Sequence, residues 1–170
     1  MGDVKKPTGS DHYYKKVDGS HHYQQADFQA SYSNLCGLQG YLANVTTTSD
    51  LTAISTLGIT TNKEAWVNGT DECQGGIYRS GFWRYSSGPW KDKEFWRLRI
   101  DSSVDIDSLP CNLADIRSSE PSVRVGSFET ANWISNHPAA NNNDYLTYKQ
   151  SASPGIKTRS SASSPDVEAY

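Results

Sequence analysis

The chain has 170 residues, enough for one domain with its own core. A net charge of -3 at pH 7 with no basic stretch argues against a nucleic-acid partner. No apolar run approaches the roughly 20 residues of a membrane-spanning helix. Only 35% of the residues are hydrophobic, so the core must lean on the aromatics, with 5 Trp, 10 Tyr and 4 Phe.

Residues 1–11 are polar, with Lys5-Lys6-Pro7 and Gly9, and read as an N-terminal arm. Met1-Gly2-Asp3-Val4-Lys5-Lys6 lacks the apolar segment of a secretion signal, and lysine at the sixth position does not suit N-myristoylation. His12-Tyr13-Tyr14-Lys15-Lys16-Val17 reads as a first strand ending at Asp18-Gly19. Ser20 is placed to cap a helix over about 21–33, with Tyr23, Ala26 and Ala30 at helical spacing. The adjacent pair His21-His22 would point about 100° apart on that helix and reads as a polar first turn, not a metal site.

Gly37-Leu38-Gln39-Gly40-Tyr41-Leu42-Ala43-Asn44-Val45 reads as a glycine-punctuated apolar strand packing both helices. Thr48 or Ser49 can cap a second helix whose buried stripe is Leu51, Ile54 and Leu57, with Gly58 in a left-handed cap. Ala65-Trp66-Val67 is a buried strand that Asn68-Gly69 breaks, and Thr70 to Gly76 form an acidic loop. Ser80-Gly81-Phe82-Trp83-Arg84-Tyr85 alternates as a strand and turns at Ser86-Ser87-Gly88-Pro89. Trp66, Trp83 and Trp96 are expected inside, because so few aliphatics are available. Residues 98–127 lack clear periodicity, although Asp105 and Asp107 would share one side of an extended segment. Tyr145, Leu146 and Tyr148 form a last strand pairing near the first. From Gln150 onward Ser, Ala, Pro and Gly dominate, and the composition is that of a flexible extension.

Cys36, Cys73 and Cys111 permit at most one internal disulfide, or a free or intermolecular thiol. Asn44-Val45-Thr46 and Asn68-Gly69-Thr70 are sequons, glycosylation acceptors in a eukaryotic secretory pathway.

The order of first helix, Gly-Leu-Gln-Gly-Tyr-Leu-Ala, second helix, Ala65-Trp66-Val67 and Gly81-Phe82-Trp83-Arg84-Tyr85 resembles the C-type lectin-like domain in its compact extracellular form. Asn132-Trp133 with Asn136-His137-Pro138, then Asn143-Asp144-Tyr145, resemble that family's Asn-Trp, Glu-Pro-Asn and terminal-strand segments. The resemblance covers residues 12–149, with 98–127 as an atypical insertion where the family has its ligand-binding long loops. It implies an α+β fold, two short helices packed on small antiparallel sheets, and an extracellular or cell-surface setting. A Cys73–Cys111 bridge would pin the insertion to the body, while Cys36 lacks the family's usual cysteine near the C-terminus.

The family holds calcium with a glutamate and an asparagine flanking a cis-proline, plus an asparagine–aspartate pair on the last strand. Calcium takes about 6–8 oxygens, several of them charged. Here the flanking positions are His137 and Ala139, a nitrogen donor and no donor at all. Asn143 and Asp144 remain as metal candidates, with Asn136, His137, Asn141, Asn142, Asn143 and Asp144 as the ligand-binding set. One carboxylate does not support tight calcium-dependent sugar binding. The stretch also reads as a polar turn entering the last strand.

No Gly-x-Ser-x-Gly elbow, His-Glu-x-x-His pair or phosphate loop is present, so an enzyme is not expected. The functional expectation is a secreted recognition or adhesion module binding glycan or protein through residues 98–143. The alternative is a structural subunit of a surface filament or coat, a homo-oligomer assembling through arm, insertion and tail.

Overall fold

A computed structural model describes residues 4–10, 12–71, 82–98, 122–124, 145–159 and 167–169. Within them the chain is α+β. Its elements are β1 (Val4–Lys5), β2 (Tyr14–Lys15), α1 (Tyr23–Tyr32), β3 (Asn34–Leu35), β4 (Leu38–Gln39), α2 (Thr48–Ser55), β5 (Glu64–Thr70) and β6 (Phe82–Arg84). A 3-10 turn at Gly88–Trp90, β7 (Glu94–Leu98), β8 (Ser122–Arg124), β9 (Tyr145–Lys149), β10 (Gly155–Arg159) and β11 (Val167–Ala169) follow.

Each helix has a local cause. α1 buries Tyr23, Ala26 and Ala30, the expected stripe, but its N-cap is His22 and not Ser20. Gln25 reaches back to accept from the His22 backbone N–H at 3.3 Å. α2 opens one residue earlier than its sequence suggests, with Thr47 as N-cap. Thr47 Oγ1 accepts from the Asp50 N–H at 3.2 Å, and Asp50 Oδ2 accepts from the Thr47 N–H at 2.9 Å. This reciprocal capping satisfies two backbone donors that the first turn leaves without helical partners. Past the end of α2, Gly58 has φ +73°, the left-handed conformation that glycine adopts without steric cost.

The main sheet runs β10-β9-β5-β6-β7-β8, with β11 pairing parallel to β5; all its other pairs are antiparallel. β5 is buried at every position. Its alternation divides the core, since successive side chains point to opposite faces. Ala65 and Val67 join Leu51 and Ile54 from α2 and Leu57 just past its end, together with Trp83, Phe95 and Ile156. Trp66 joins Tyr23, Ala26 and Ala30 from α1, together with Leu42 and Tyr145. The two helices thus complete different faces of one strand. Trp66, Trp83 and Trp96 are all buried, as a chain poor in aliphatics requires.

Beyond the helix caps, further expectations change. The 37–45 stretch is not one strand: β3 and β4 form a small hairpin around Cys36 and Gly37, at φ 51° and 86°. Leu42 to Thr46 are then buried without strand pairing, apart from the Asn68 N–H donating to the Ala43 carbonyl at 2.9 Å. Asn68-Gly69 does not end β5; the register slips between Val67 and Thr70 and the strand continues. Glycine is required at position 69 because a Cβ there would run into the Leu146 side chain. The 1–11 arm contributes β1, paired with β2.

The largest change is at the C-terminal end. β9 does not pair with β2; its two edges are taken by β5 and β10. β10 comes from the Ser/Pro-rich stretch read as a loose tail, and its Ile156 is fully buried. Closing a hairpin over the short 150–154 turn costs far less chain entropy than bringing β9 to a strand 130 residues away along the chain, roughly (3/2)RT per unit of ln n. Lys157 pairs with Glu64 across β9, and Thr147 Oγ1 donates to the same carboxylate at 3.3 Å. Three strands are therefore tied on one face.

Candidate functional site

The strand registers gather the chain's departures from the sheet. Thr70 of β5 lies opposite Tyr145 of β9 and Arg84 of β6. Phe82 lies opposite Arg97, and Leu98 opposite Ser122. The ends of β5 and β7 and the starts of β6, β8 and β9 therefore share one end of the sheet. From that end the chain leaves after Leu98 and returns at Ser122 and at Tyr145, the strand start next to Asn143 and Asp144.

Beneath this end lies a polar bracket centred on Asn68. Its Nδ2 donates to Asn44 Oδ1 at 2.7 Å and to the Ser87 carbonyl at 2.9 Å. Its Oδ1 accepts from the Ser86 N–H at 2.8 Å and the Ser86 hydroxyl at 2.9 Å. One amide thus fixes the unpaired 42–46 segment to β5 and to the turn after β6. Tyr23 adds a second tie: its hydroxyl accepts from the Gly69 N–H at 3.1 Å and meets Ser86 Oγ at 2.7 Å. Its ring lies 4.3 Å from the Tyr145 ring centroid and edge-on to Trp66 at 5.5 Å. The Trp66 indole N–H donates to the His21 carbonyl at 2.7 Å, and Gln24 donates to the Tyr145 hydroxyl at 2.8 Å. The start of α1, the Trp66 strand and the first residue after Asp144 are thereby held as one unit.

A second knot lies under α2. The buried Asp50 carboxylate accepts from Tyr14 at 2.9 Å and from the hydroxyls of Thr46 and Thr47 at 3.0 Å each. The Tyr14 hydroxyl also donates to the Asn44 carbonyl at 2.6 Å. Burial first, and then the Asp50 charge, push the Tyr14 and Tyr85 hydroxyls far above the ordinary tyrosine range. Burial alone raises Tyr148 to about 12 and also raises Tyr41. Burial thus favours the neutral form of each hydroxyl, and those of Tyr14 and Tyr148 are fixed as donors to Asn44, Asp50 and Gln150.

Asn44 and Asn68, the two sequon asparagines, are each only 2% exposed. The Asn68 amide is spent on the bracket, and neither position leaves room for a glycan on the folded chain. Their triplets have a structural use that a sequon pattern does not report. Asn136, His137, Asn141, Asn142, Asn143 and Asp144 lie outside the described residues, as do Cys73 and Cys111. Cys36 is a free thiol, exposed at the tip of the β3–β4 hairpin.

The donor set of the implied calcium site, with His137 and Ala139 where two oxygen ligands are needed, does not fit a tightly held calcium ion. Among the described residues, no three His, Cys, Asp or Glu side chains come together to hold a metal. No described helix is long and apolar enough to cross a membrane.

What sequence reasoning missed is the joint role of Asn44, Asn68, Asp50 and Tyr14. Only the Thr47-x-x-Asp50 capping pattern was a legible signal for any of them. Comparison with protein-family models, with curated proteins and with solved structures finds no match for this chain.

Proposed function

We propose that this chain is a C-type lectin-like recognition module of extracellular proteins, non-enzymatic, binding glycan or protein through residues 98–143 without a tightly held calcium ion. The observation that carries this reading is the common sheet end from which the 99–121 stretch departs and at which β9 begins, built over a rigid aromatic and amide base. Recognition residues concentrate on loops set on such scaffolds. The motif order, the two helices and the burial of Trp66 and Trp83 agree with that family's arrangement. The pairing of β9 with β10 in place of the first strand departs from it.

The test is a printed glycan array probed with the full chain, with and without EDTA, beside Asn142→Ala and Asp144→Ala. Retention that ignores EDTA and falls at least tenfold in both variants is expected. Retention abolished by EDTA, unchanged in the variants, or absent altogether for glycans and for a protein-ligand screen of the same format overturns the reading.

The assembly alternative gives the Ser/Pro-rich tail a place on neighbouring subunits. Residues Gly155–Arg159 of that tail pair instead with β9 of the same chain. Size analysis of the full chain is its direct test, and a large EDTA-insensitive assembly would favour it over the recognition module.

A further inference from the structure

A cavity of about 390 Å³ lies between β2, the C-terminal end of α1 and the β3–β4 hairpin, built from residues 12–44. None of them belongs to the 98–143 stretch. Gly40 shapes its hairpin side: a Cβ there would run into the Ala30 carbonyl, so only glycine lets the hairpin return so close to α1. Tyr13, Tyr14, Tyr41, Val17, Leu35 and Leu38 supply its large apolar side chains. Among the described residues four large apolar side chains are exposed, and two of them, Tyr13 and Leu38, line this cavity. Its volume falls in the lower part of the roughly 300–1,000 Å³ range of small-molecule sites.

The polar part of the wall decides what charge an occupant carries. The Tyr14 and Tyr41 hydroxyls are engaged, with Asn44 and Asp50 and with His12 Nδ1. Asn44 is buried, and its side-chain oxygen accepts from Asn68. At the hairpin end Ser33 Oγ donates to the Gln29 carbonyl at 3.1 Å, and Gln39 Nε2 donates to the Ser31 carbonyl at 3.1 Å. Asn34 Oδ1 accepts from the Gly37 N–H at 2.8 Å. What remains is a donor on Asn34 and acceptors on Ser33 and Gln39, a mixture that favours neither sign. Lys15 breaks that balance. It is the wall's one lysine or arginine, no carboxylate lines the cavity, and among the described residues its ammonium meets no acidic partner.

A second ammonium stands beside it. Lys5 lies opposite Tyr14 and Val4 opposite Lys15, which sets Lys6 beside Tyr13 and diagonal to Lys15 across the β1–β2 ribbon. Lys6 Nζ is 5.1 Å from the centroid of the Tyr13 ring, and it too meets no acidic partner among the described residues. Lys16, by contrast, is paired with Asp18 at 3.0 Å. Tyr13, Lys6 and Lys15 are all exposed, so both charges stand where the cavity opens to solvent. Two like charges without a counter-ion repel each other and draw an anion to the place between them.

We propose that this cavity binds a small organic anion, with a flat apolar body among Tyr13, Tyr41 and Leu38 and one carboxylate at the mouth between Lys15 and Lys6. The recognition surface assigned to residues 98–143 is separate, and either can stand without the other.

Naphthoate and its uncharged amide, naphthamide, titrated separately into the full chain at low salt and followed by amide and methyl chemical shifts, test this directly. Saturable binding of one naphthoate is expected, with shifts centred on Tyr13, Val17 and Leu38. It should bind about two- to fivefold tighter than naphthamide, the worth of solvent-exposed charge pairs. Raising the salt to about 1 M, where the screening length is about 3 Å, should remove that preference and leave naphthamide binding in place. Lys6→Met combined with Lys15→Met keeps apolar stems at two exposed positions and should bind both probes equally, as tightly as the unaltered chain binds naphthamide. Absence of saturable binding, equal affinity for the two probes at low salt, shifts confined to other regions, or a preference that survives the double substitution overturns the assignment. The probe comparison needs only the unaltered chain, so it decides the matter even if the double variant fails to fold.

Discussion

The sharpest departure from the sequence reading, the strand built from the Ser/Pro-rich stretch, is also the easiest to test. Ile156 is fully buried among β9, β5 and α2, opposite Tyr148, which in turn lies opposite Ala65. Ile156→Ala removes most of a side chain with no solvent route to refill the space, which costs about 2–5 kcal/mol in a close-packed core. Taking about 3 kcal/mol and an m-value of about 2 kcal/mol/M, the urea midpoint should fall by about 1.5 M. The thermal midpoint should fall by about 6–12 °C for a chain of this size. Tryptophan fluorescence is the natural readout, since Trp66, Trp83 and Trp96 are all buried and report loss of the core. Ser153→Ala, at an exposed position of the adjoining turn, is the control and should shift the midpoint by less than about 0.3 M. If Ile156→Ala behaves like that control, β10 is not part of the core and the assignment of residues 150–159 to the domain is wrong.

Three other outcomes follow from the same framework. A chain ending at Gln150 strips β10 from β9 and should lose cooperative unfolding, measured by urea titration; an unchanged midpoint contradicts the sheet order. Asn68→Ala leaves Asn44 Oδ1, the Ser87 carbonyl and the Ser86 donors short of a partner. It should cost about 2–4 kcal/mol in the same titration, and a loss below 1 kcal/mol would show that water replaces the amide freely.

The third outcome concerns alkali. Tyr14, Tyr85 and Tyr148 have raised folded-state pKa values, so above pH about 10 the native chain keeps them neutral where the unfolded chain ionises. That contribution is complete below the unfolded value of about 10 and is lost as pH climbs from there through about 12 for Tyr148. Stability should fall by up to about 4 kcal/mol per pH unit in that window, with tyrosinate absorbance appearing in step with unfolding. Tyrosinate formed without unfolding would mean that these hydroxyls are not buried as described.

The two helices were legible in the sequence because their causes are local. The spacing of Tyr23, Ala26 and Ala30, the stripe of Leu51 and Ile54, and the glycine after α2 act within a turn or two of chain. Burial of Trp66 and Trp83 followed from composition, since a chain so short of aliphatics has little else to put inside. The tertiary structure alone decided which polar groups went inside with them. Nothing in Asn44-Val45-Thr46 distinguishes an amide facing a glycan from one facing Asn68, because the partner is 24 positions away and reached only through the fold.

The same holds for residues 150–159. Read alone, Gly155-Ile156-Lys157-Thr158-Arg159 has one large apolar group and the composition of a linker. It becomes a strand because β9 offers an unpaired backbone edge one short turn away, and a covered pocket for Ile156. Local sequence thus determined what each segment could form by itself. Backbone edges and buried amides found their partners only once distant segments had been brought together, since a hydrogen bond in water gains little until its surroundings are dry.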